Sequence, residues 1–347
     1  MATVDVTVRG GGVFGLSVAW ECARRGARVR LIETTRIGAG ASGGVVGALA
    51  PHVPEQWNAK KQFQFESLVM AGDFWGGVTE AGGAQTGFAR VGRLQPLADA
   101  AAAALAEGRV AGAAEHWQGQ GIWRVAPVAE FGVLAPVSPT GLVVHDTLSA
   151  RANPRLLGPA LVAAIRAKGG EIVIGEGPDE GAVVWATGID GLGALSAAFG
   201  KQVGNGVKGQ AAILGFDAGT VPQVFADGLL IVPHANGTVA VGSTAEKRYD
   251  APDTTDEQLD AVLARARALC PDLADAPVLE RWAGVRPRAA TMAPVLGAWP
   301  GRTGHYVANG GFKIGFGMAP KVAEVMADLL LEGRDAIPAG FRVEDCV

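Results

Sequence analysis

Residues 4–33 read VDVTVRGGGVFGLSVAWECARRGARVRLIE, and this stretch decides the fold. Residues 3–9 and 28–33 alternate or run apolar, as strands do. Between them Leu16, Ala19, Trp20 and Ala23 fall at the i, i+3, i+4, i+7 spacing of a helix with one buried face. Gly26 is placed to end that helix in a left-handed conformation. Strand, helix and strand within about 30 residues form a βαβ unit, and its two strands are parallel.

Gly10, Gly12 and Gly15 satisfy G-x-G-x-x-G at the strand–helix junction. Gly10 permits the tight turn, Gly12 lets backbone N–H groups approach a pyrophosphate, and Gly15 lets the helix pack closely. Val13 and Phe14 open the helix, whose N-terminus faces the diphosphate with partial positive charge. Glu33, followed by Thr34, closes the second strand about 20 residues beyond Gly12, where a carboxylate accepts from ribose hydroxyls. An acid there disfavours a 2′-phosphate. The competing reading is a structural turn, since a chain with 51 glycines matches such a triplet by chance. The motif leaves NAD and FAD both open. Arg9 departs from the pattern, standing where an apolar residue normally ends the strand.

The bulk properties narrow the remaining classes. The chain has 347 residues, 49% apolar and 18% charged, which suffices for one large composite domain or two ordinary ones. A net charge of −4 without a basic block excludes nucleic acid as an expected partner. No apolar run is long enough for a membrane span. No basic segment followed by an apolar one heads the chain, so a cytoplasmic protein is expected. Cys22, Cys270 and Cys346 lie far apart and form no CxxC pair, and the five histidines show no HxH or HExxH spacing. Neither disulfides nor a metal are expected.

The rest of the chain alternates between two styles. A glycine- and alanine-rich loop (36–57) precedes a helical stretch (59–80). Residues 88–98 read as strand, 98–121 as an alanine-rich helix and 141–146 as strand. NPRLLGPALVAAIRAKGG (153–170) is a helix with Asn153 as N-cap and Pro154 at its first position. EIVIG (171–175) and AVVWATG (182–188) are β runs, and 207–245 is strand-rich. A helix begun by Thr254 or Thr255 spans 254–270, and a last one spans about 319–333. The first run of elements implies a parallel sheet, and the middle and later runs a largely antiparallel sheet inserted between returns to it.

Two further stretches separate the cofactors. GAGASGGVVGALAP (38–51) is a small-residue loop that can run beneath a large flat cofactor, and VVWATGIDG (183–191) is a strand ending in Ala186, Thr187 and Gly188. These residues resemble the flavoprotein family of D-amino acid, glycine and sarcosine oxidases. The resemblance continues in order through VKGQ (207–210), IVPHANGTVAVGSTAE (231–246), WAGVRP (282–287) and GHYVANGGFKIGFGMAP (304–320). It is nearest to the glycine oxidase branch of thiamine biosynthesis. It implies an α/β chain, α+β overall, with a Rossmann-like FAD-binding domain (1–86, 142–206 and 281–347). An interrupted, largely antiparallel substrate-binding domain would occupy 87–141 and 207–280. It further implies that Ala41, Ser42 and Gly43 lie along the diphosphate and flavin. Ala186, Thr187 and Gly188 would close over the dinucleotide, with Val173 also at the cofactor. Gly310, Gly311, Phe312, Lys313 and Ile314 would sit at the flavin.

An amine oxidase of this kind needs orientation more than reactive side chains, because the cofactor carries the hard chemistry. A fixed cation must hold the substrate carboxylate. Arg286 matches the family's clamp, and its planar fork suits two parallel hydrogen bonds. Arg288 stays open as an alternative clamp, and so does a purely structural Arg286. The following RAATMAP (288–294) departs from the family's turn there. Lys313 or nearby backbone N–H groups would stabilise charge developing on the reduced flavin, or Lys313 is a surface charge. His52 is either a site residue or a packing residue. His234 and His305, and Trp57, Trp75, Trp282 and Trp299, read as structural. The expected activity is FAD-dependent oxidation of a small carboxylate-bearing amine, with oxygen, a quinone or an electron-transfer protein as acceptor. An NAD-dependent dehydrogenase and a non-catalytic FAD-binding module are the competing readings, and a homo-oligomer stays open.

Overall fold

The computed structural model describes residues 4–346, so residue 3 of the expected first strand and the outermost residues of the expected domain limits lie outside it. The opening unit is β1 (Val6–Arg9), α1 (Val13–Arg24) and β2 (Val29–Glu33). A loop containing β3 (Ala48–Leu49) leads to α2 (Ala59–Gly82), β4 (Arg93–Pro96), α3 (Ala100–Trp117), β5 (Trp123–Pro127) and β6 (Leu142–Asp146). Then come β7 (Ala150–Arg151), α4 (Pro154–Ala167), β8 (Glu171–Ile174), β9 (Ala182–Trp185) and α5 (Gly188–Phe199). The strands β10 (Gly204–Gly215), β11 (Gln223–Ala226), β12 (Leu229–His234) and β13 (Thr238–Gly242) precede α6 (Glu257–Leu269). The chain closes with β14 (Val278–Ala289), β15 (Val295–Ala298), β16 (His305–Asn309) and α7 (Gly315–Glu332).

Two large sheets result. The first has the order β15-β16-β9-β1-β2-β8 and is parallel except for β15. The second, β14-β10-β13-β12-β11-β4-β6-β5, is antiparallel except where β11 meets β4. Two segments expected in the FAD-binding domain, β6 and most of β14, pair in the second sheet. Chain connectivity hides this, because β6 finds its partners in β4 and β5 rather than in the elements that follow it.

The βαβ unit forms as read, with Val6 opposite Val29 and Arg9 opposite Ile32 in parallel register. Gly26 has φ +93°, one residue past the helix cap. One expectation needs correction: α1 is buried on every side, not on one face, and even Ser17 and Glu21 are covered. The sheet lies on one flank, and α4 and α7 cover the other. Glu21 survives burial because Arg24 and Arg25 both donate to its carboxylate.

Cap chemistry explains other boundaries. Asn153 accepts from the Arg155 N–H at 3.0 Å and Pro154 follows, as expected. α6 starts at Asp256, which accepts from the Gln258 N–H at 3.0 Å, not at Thr254 or Thr255. α7 begins four residues earlier than expected, with Pro320 inside it. That proline removes a single hydrogen bond, the one to the Phe316 carbonyl.

Candidate active site

A cleft of about 950 Å³ lies where the two sheets meet. Gly10, Gly12, Val13, Phe14, Glu33, Thr34, Ala41 and Ser42 line it from the βαβ unit and the loop that follows. Ala186, Thr187 and Gly188 line it from the turn between β9 and α5, and Gly311, Phe312, Lys313 and Ile314 from the approach to α7. Gly15, Gly43, Gly310 and Val173 are near but not on its wall. A Cβ on Gly15 would stand 2.0 Å from the Gly10 carbonyl oxygen, and one on Gly43 would stand 2.0 Å from that of Gly38. Both glycines therefore hold the backbone that forms the wall. Gly310 turns the chain at φ +76°, and Val173 pairs with Ile32 on β8.

One end of the cleft suits the ADP half of a dinucleotide. Gly10 has φ +110°, and its missing Cβ would meet the Ala186 carbonyl oxygen at 2.4 Å. The N-cap of α1, Gly12, offers no side chain, so the helix terminus is open to an anion except where Ser42 Oγ accepts from the Val13 N–H at 2.9 Å. Glu33 accepts from the Gly11 N–H at 2.8 Å and the Thr35 N–H at 3.0 Å, which holds its carboxylate at the wall. Arg9 is explained here. Its Nε donates to Asp179 at 2.6 Å, its Nη2 to the Gly177 carbonyl at 2.9 Å, and its guanidinium lies 5.4 Å from the Trp185 ring centre. A cation ends β1 because the 175–181 loop supplies an acid and β9 an aromatic face.

The other end is cationic. α7 points an uncapped N-terminus at it. Arg286 is 9% exposed and has no carboxylate within ion-pair distance among the described residues. Its Nη2 donates to Ser243 Oγ at 2.7 Å and its Nη1 to the Thr244 carbonyl at 3.2 Å. Burial draws its pKa down to about 10, and the charge of Glu246 opposes this. Glu246 itself is engaged by Lys208 at 3.5 Å. Arg288 does not line the cleft, and its Nε donates to Asn205 at 3.1 Å.

Lys313 lines the cleft with its pKa lowered by burial and then by the charge of Arg286. His52 also lines it. Its backbone N–H donates to Gln64 Oε1 at 2.9 Å, and its Nδ1 meets the same oxygen. Gln64 is therefore the acceptor, Nδ1 carries the proton, and Nε2 keeps a lone pair. Burial, then Lys60, holds the His52 pKa below its ordinary value, so the ring is neutral at neutral pH. His234 is buried on the Val45 carbonyl at 3.0 Å, and His305 lies 3.0 Å from Trp185 Nε1. Trp57, Trp75 and Trp299 are away from the cleft, whereas Trp282 lines it.

Motif reading missed Gly209 and Arg93. A Cβ on Gly209 would lie 1.9 Å from Arg286 Nη1, so this glycine makes the seat of the guanidinium. Its position inside VKGQ marked a strand entry and nothing more. Gly209→Ala is expected to keep FAD and raise KM for a carboxylate substrate roughly 10- to 100-fold by moving the guanidinium. Steady-state KM with unchanged flavin content is the check. Arg93 sits on β4 beside Asp146 of β6, two segments that read only as strands.

The fold and the cleft define a flavin-type dinucleotide protein with a cationic pocket beside the cofactor end. A family model described as FAD dependent oxidoreductase matches residues 5–329. The chain belongs to that family, and the family's cofactor is FAD. It is 34% identical over 132 residues to the glycine oxidase of Pseudomonas aeruginosa, a match that spans 38% of this chain and 36% of that protein. With the glycine oxidase of Geobacillus kaustophilus it shares 26% identity over 94% of this chain and 92% of that one. The crystal structure of glycine oxidase from that organism superposes with a TM-score of 0.83 at 23% identity, covering 98% of both chains. Iminodiacetate oxidase from Chelativorans sp. BNC1 superposes with a TM-score of 0.84 at 21% identity, covering 97% of this chain and 98% of that one. At these identities the superpositions establish the fold. Among the described residues no helix is long and apolar enough to cross a membrane, and no group of three or more metal-ligating side chains gathers.

Proposed function

We propose that the protein oxidises the C–N bond of a small amino acid, such as glycine, sarcosine or a D-amino acid. FAD would supply the hydride acceptor for this oxidation, the resulting imine would be hydrolysed by water to a 2-oxo acid with release of ammonia or the amine, and oxygen would take the electrons to give hydrogen peroxide. The observation that carries this reading is Arg286, a buried guanidinium in the cleft without a carboxylate partner. Such a group is costly to bury alone, and a ligand carboxylate offsets that cost. Gly10–Gly12, Glu33 and Ser42 would hold the ADP half of FAD, and the uncapped start of α7 with Lys313 would face its electron-accepting end. Arg286 and the hydroxyl of Ser243 orient the substrate, and neutral His52 offers Nε2 as a proton acceptor. Phe225, Leu230 and Trp282 exclude water from the cleft wall.

Anaerobic mixing with a panel of amino acids, followed by air and a peroxide assay, tests the reading. Bleaching of the flavin by a small amino acid, with stoichiometric peroxide on reoxidation, is expected. Bleaching without peroxide would favour a quinone- or protein-coupled dehydrogenase. A yellow protein inert to every amine would leave a non-catalytic FAD-binding module.

Lys313 makes a separate prediction. Lys313→Met is expected to lower the two-electron potential of the bound flavin by roughly 30 mV, the equivalent of a tenfold loss in stabilising the reduced form. Burial and Arg286 both favour the neutral amine, so its charge is lost on raising pH sooner than that of an exposed lysine. The potential gap between wild type and variant therefore begins to close, as pH rises, at a lower pH than an exposed lysine would give. Potentiometric titration across pH measures it.

A further inference from the structure

The pocket beside the cofactor end holds a second guanidinium besides that of Arg286. Arg93 lines it and is 7% exposed. Its Nε donates to Asp146 at 2.8 Å, and its Nη2 reaches the Pro51 carbonyl at 3.5 Å. Its Nη1 has no partner among the described residues, and its guanidinium lies 5.7 Å from the Phe225 ring centre. Asp146 is fully buried and does not line the cleft. The acids that do, Glu33 and Asp190, belong to the cofactor end, beside Gly11 and in the first turn of α5. Two guanidinium groups thus face a pocket that offers no carboxylate of its own.

Strand register sets their separation. Phe225 pairs with Leu230, and Leu230 with Gly242, in one row across β11, β12 and β13. Arg93 covers Phe225 at one end of the row. Arg286 holds Ser243, the neighbour of Gly242, at the other. Two strand spacings separate the two ends of the row by on the order of 10 Å, with one guanidinium at each end. Leu230 lies between them, and Val46, which also lines the cleft, packs over Gly242, where a Cβ would stand 2.9 Å from it. An apolar floor with a cation at each end fits a short molecule with an anionic group at each end.

We infer that the substrate is an amine carrying two carboxylates, one held by Arg286 and the other by Arg93. The inference rests on the amine-oxidising reading above. The flavin-loaded protein is mixed anaerobically with iminodiacetate and D-glutamate, and with their monocarboxylate counterparts sarcosine and D-alanine. The expected kcat/KM for flavin reduction favours the better dicarboxylate at least 30-fold over its counterpart. Arg93→Met combined with Asp146→Asn, which avoids stranding a buried carboxylate, is expected to cut that ratio at least 30-fold with unchanged flavin content and Tm. Preference for the monocarboxylates, or equal loss on both classes in the variant, overturns the inference. Binding of non-oxidisable diglycolate and methoxyacetate, read from the flavin spectrum, separates the two proposals. Diglycolate is expected to bind at least 30-fold more tightly, and equal binding overturns the dianion site. Tighter diglycolate binding in a protein that no amine reduces would instead overturn the amine-oxidising reading and leave the dianion site standing.

Discussion

Replacing Arg286 by alanine is expected to raise KM for a carboxylate substrate by roughly 10²- to 10⁴-fold, since two charge-assisted hydrogen bonds at about 1.5–3 kcal/mol each would be lost. FAD is expected to stay bound, because Arg286 sits on β14, bonded to Ser243 and Thr244 just past the end of β13, and takes no part in the glycine-rich wall at Gly10–Gly12. Arg286→Lys recovers a fraction of the loss, as an ammonium is a point charge without the planar fork. Rapid-mixing measurement of flavin reduction against substrate concentration checks both variants. A KM within threefold of wild type for the alanine variant would remove Arg286 from substrate binding.

Gly10→Ala is expected to yield colourless protein. The added methyl meets the Ala186 carbonyl oxygen at 2.4 Å, which is backbone of the neighbouring strand and has nowhere to go. The conformation itself, φ +110°, costs an L-residue about 1–3 kcal/mol. Opening the β1–β9 junction by even a few tenths of an ångström also displaces the Gly11 N–H from Glu33 and the Val13 N–H from Ser42. FAD affinity should fall at least 100-fold, about 2.7 kcal/mol, with a lowered Tm. Flavin-to-protein ratio after gel filtration and a thermal melt give the answer. A stoichiometric yellow protein with wild-type Tm would show that Gly10 is a tolerant turn.

The two predictions differ in how far each was legible before the fold. Gly10 is readable because its requirement is local: a strand, a positive φ and a helix start within a few residues. Arg286 is readable through its resemblance to a known segment, but its seat is not. Gly209 opposite Gly284 in the β10–β14 pairing, and Ser243 just past the end of β13, reach Arg286 only when β14, β10 and β13 lie side by side. Arg9 looked anomalous for the same reason. Asp179 is 170 residues away in the chain, and no periodicity connects them.

The amino-acid sequence alone determined the βαβ unit, the glycine conformations at its turn, the caps such as Asn153 and the dinucleotide-binding character of the first domain, with FAD over NAD implied only by the family resemblance. Each follows from side-chain period, φ preference or cap chemistry acting within about 20 residues. Tertiary structure alone decided that α1 is covered on both flanks, that Arg9 has an acid waiting for it, and that Arg93 faces the same pocket as Arg286. These depend on strand order, above all on β11 lying beside β4 across more than a hundred intervening residues. Such pairing is settled by competition among whole sheets for burial, and no short stretch of sequence carries it.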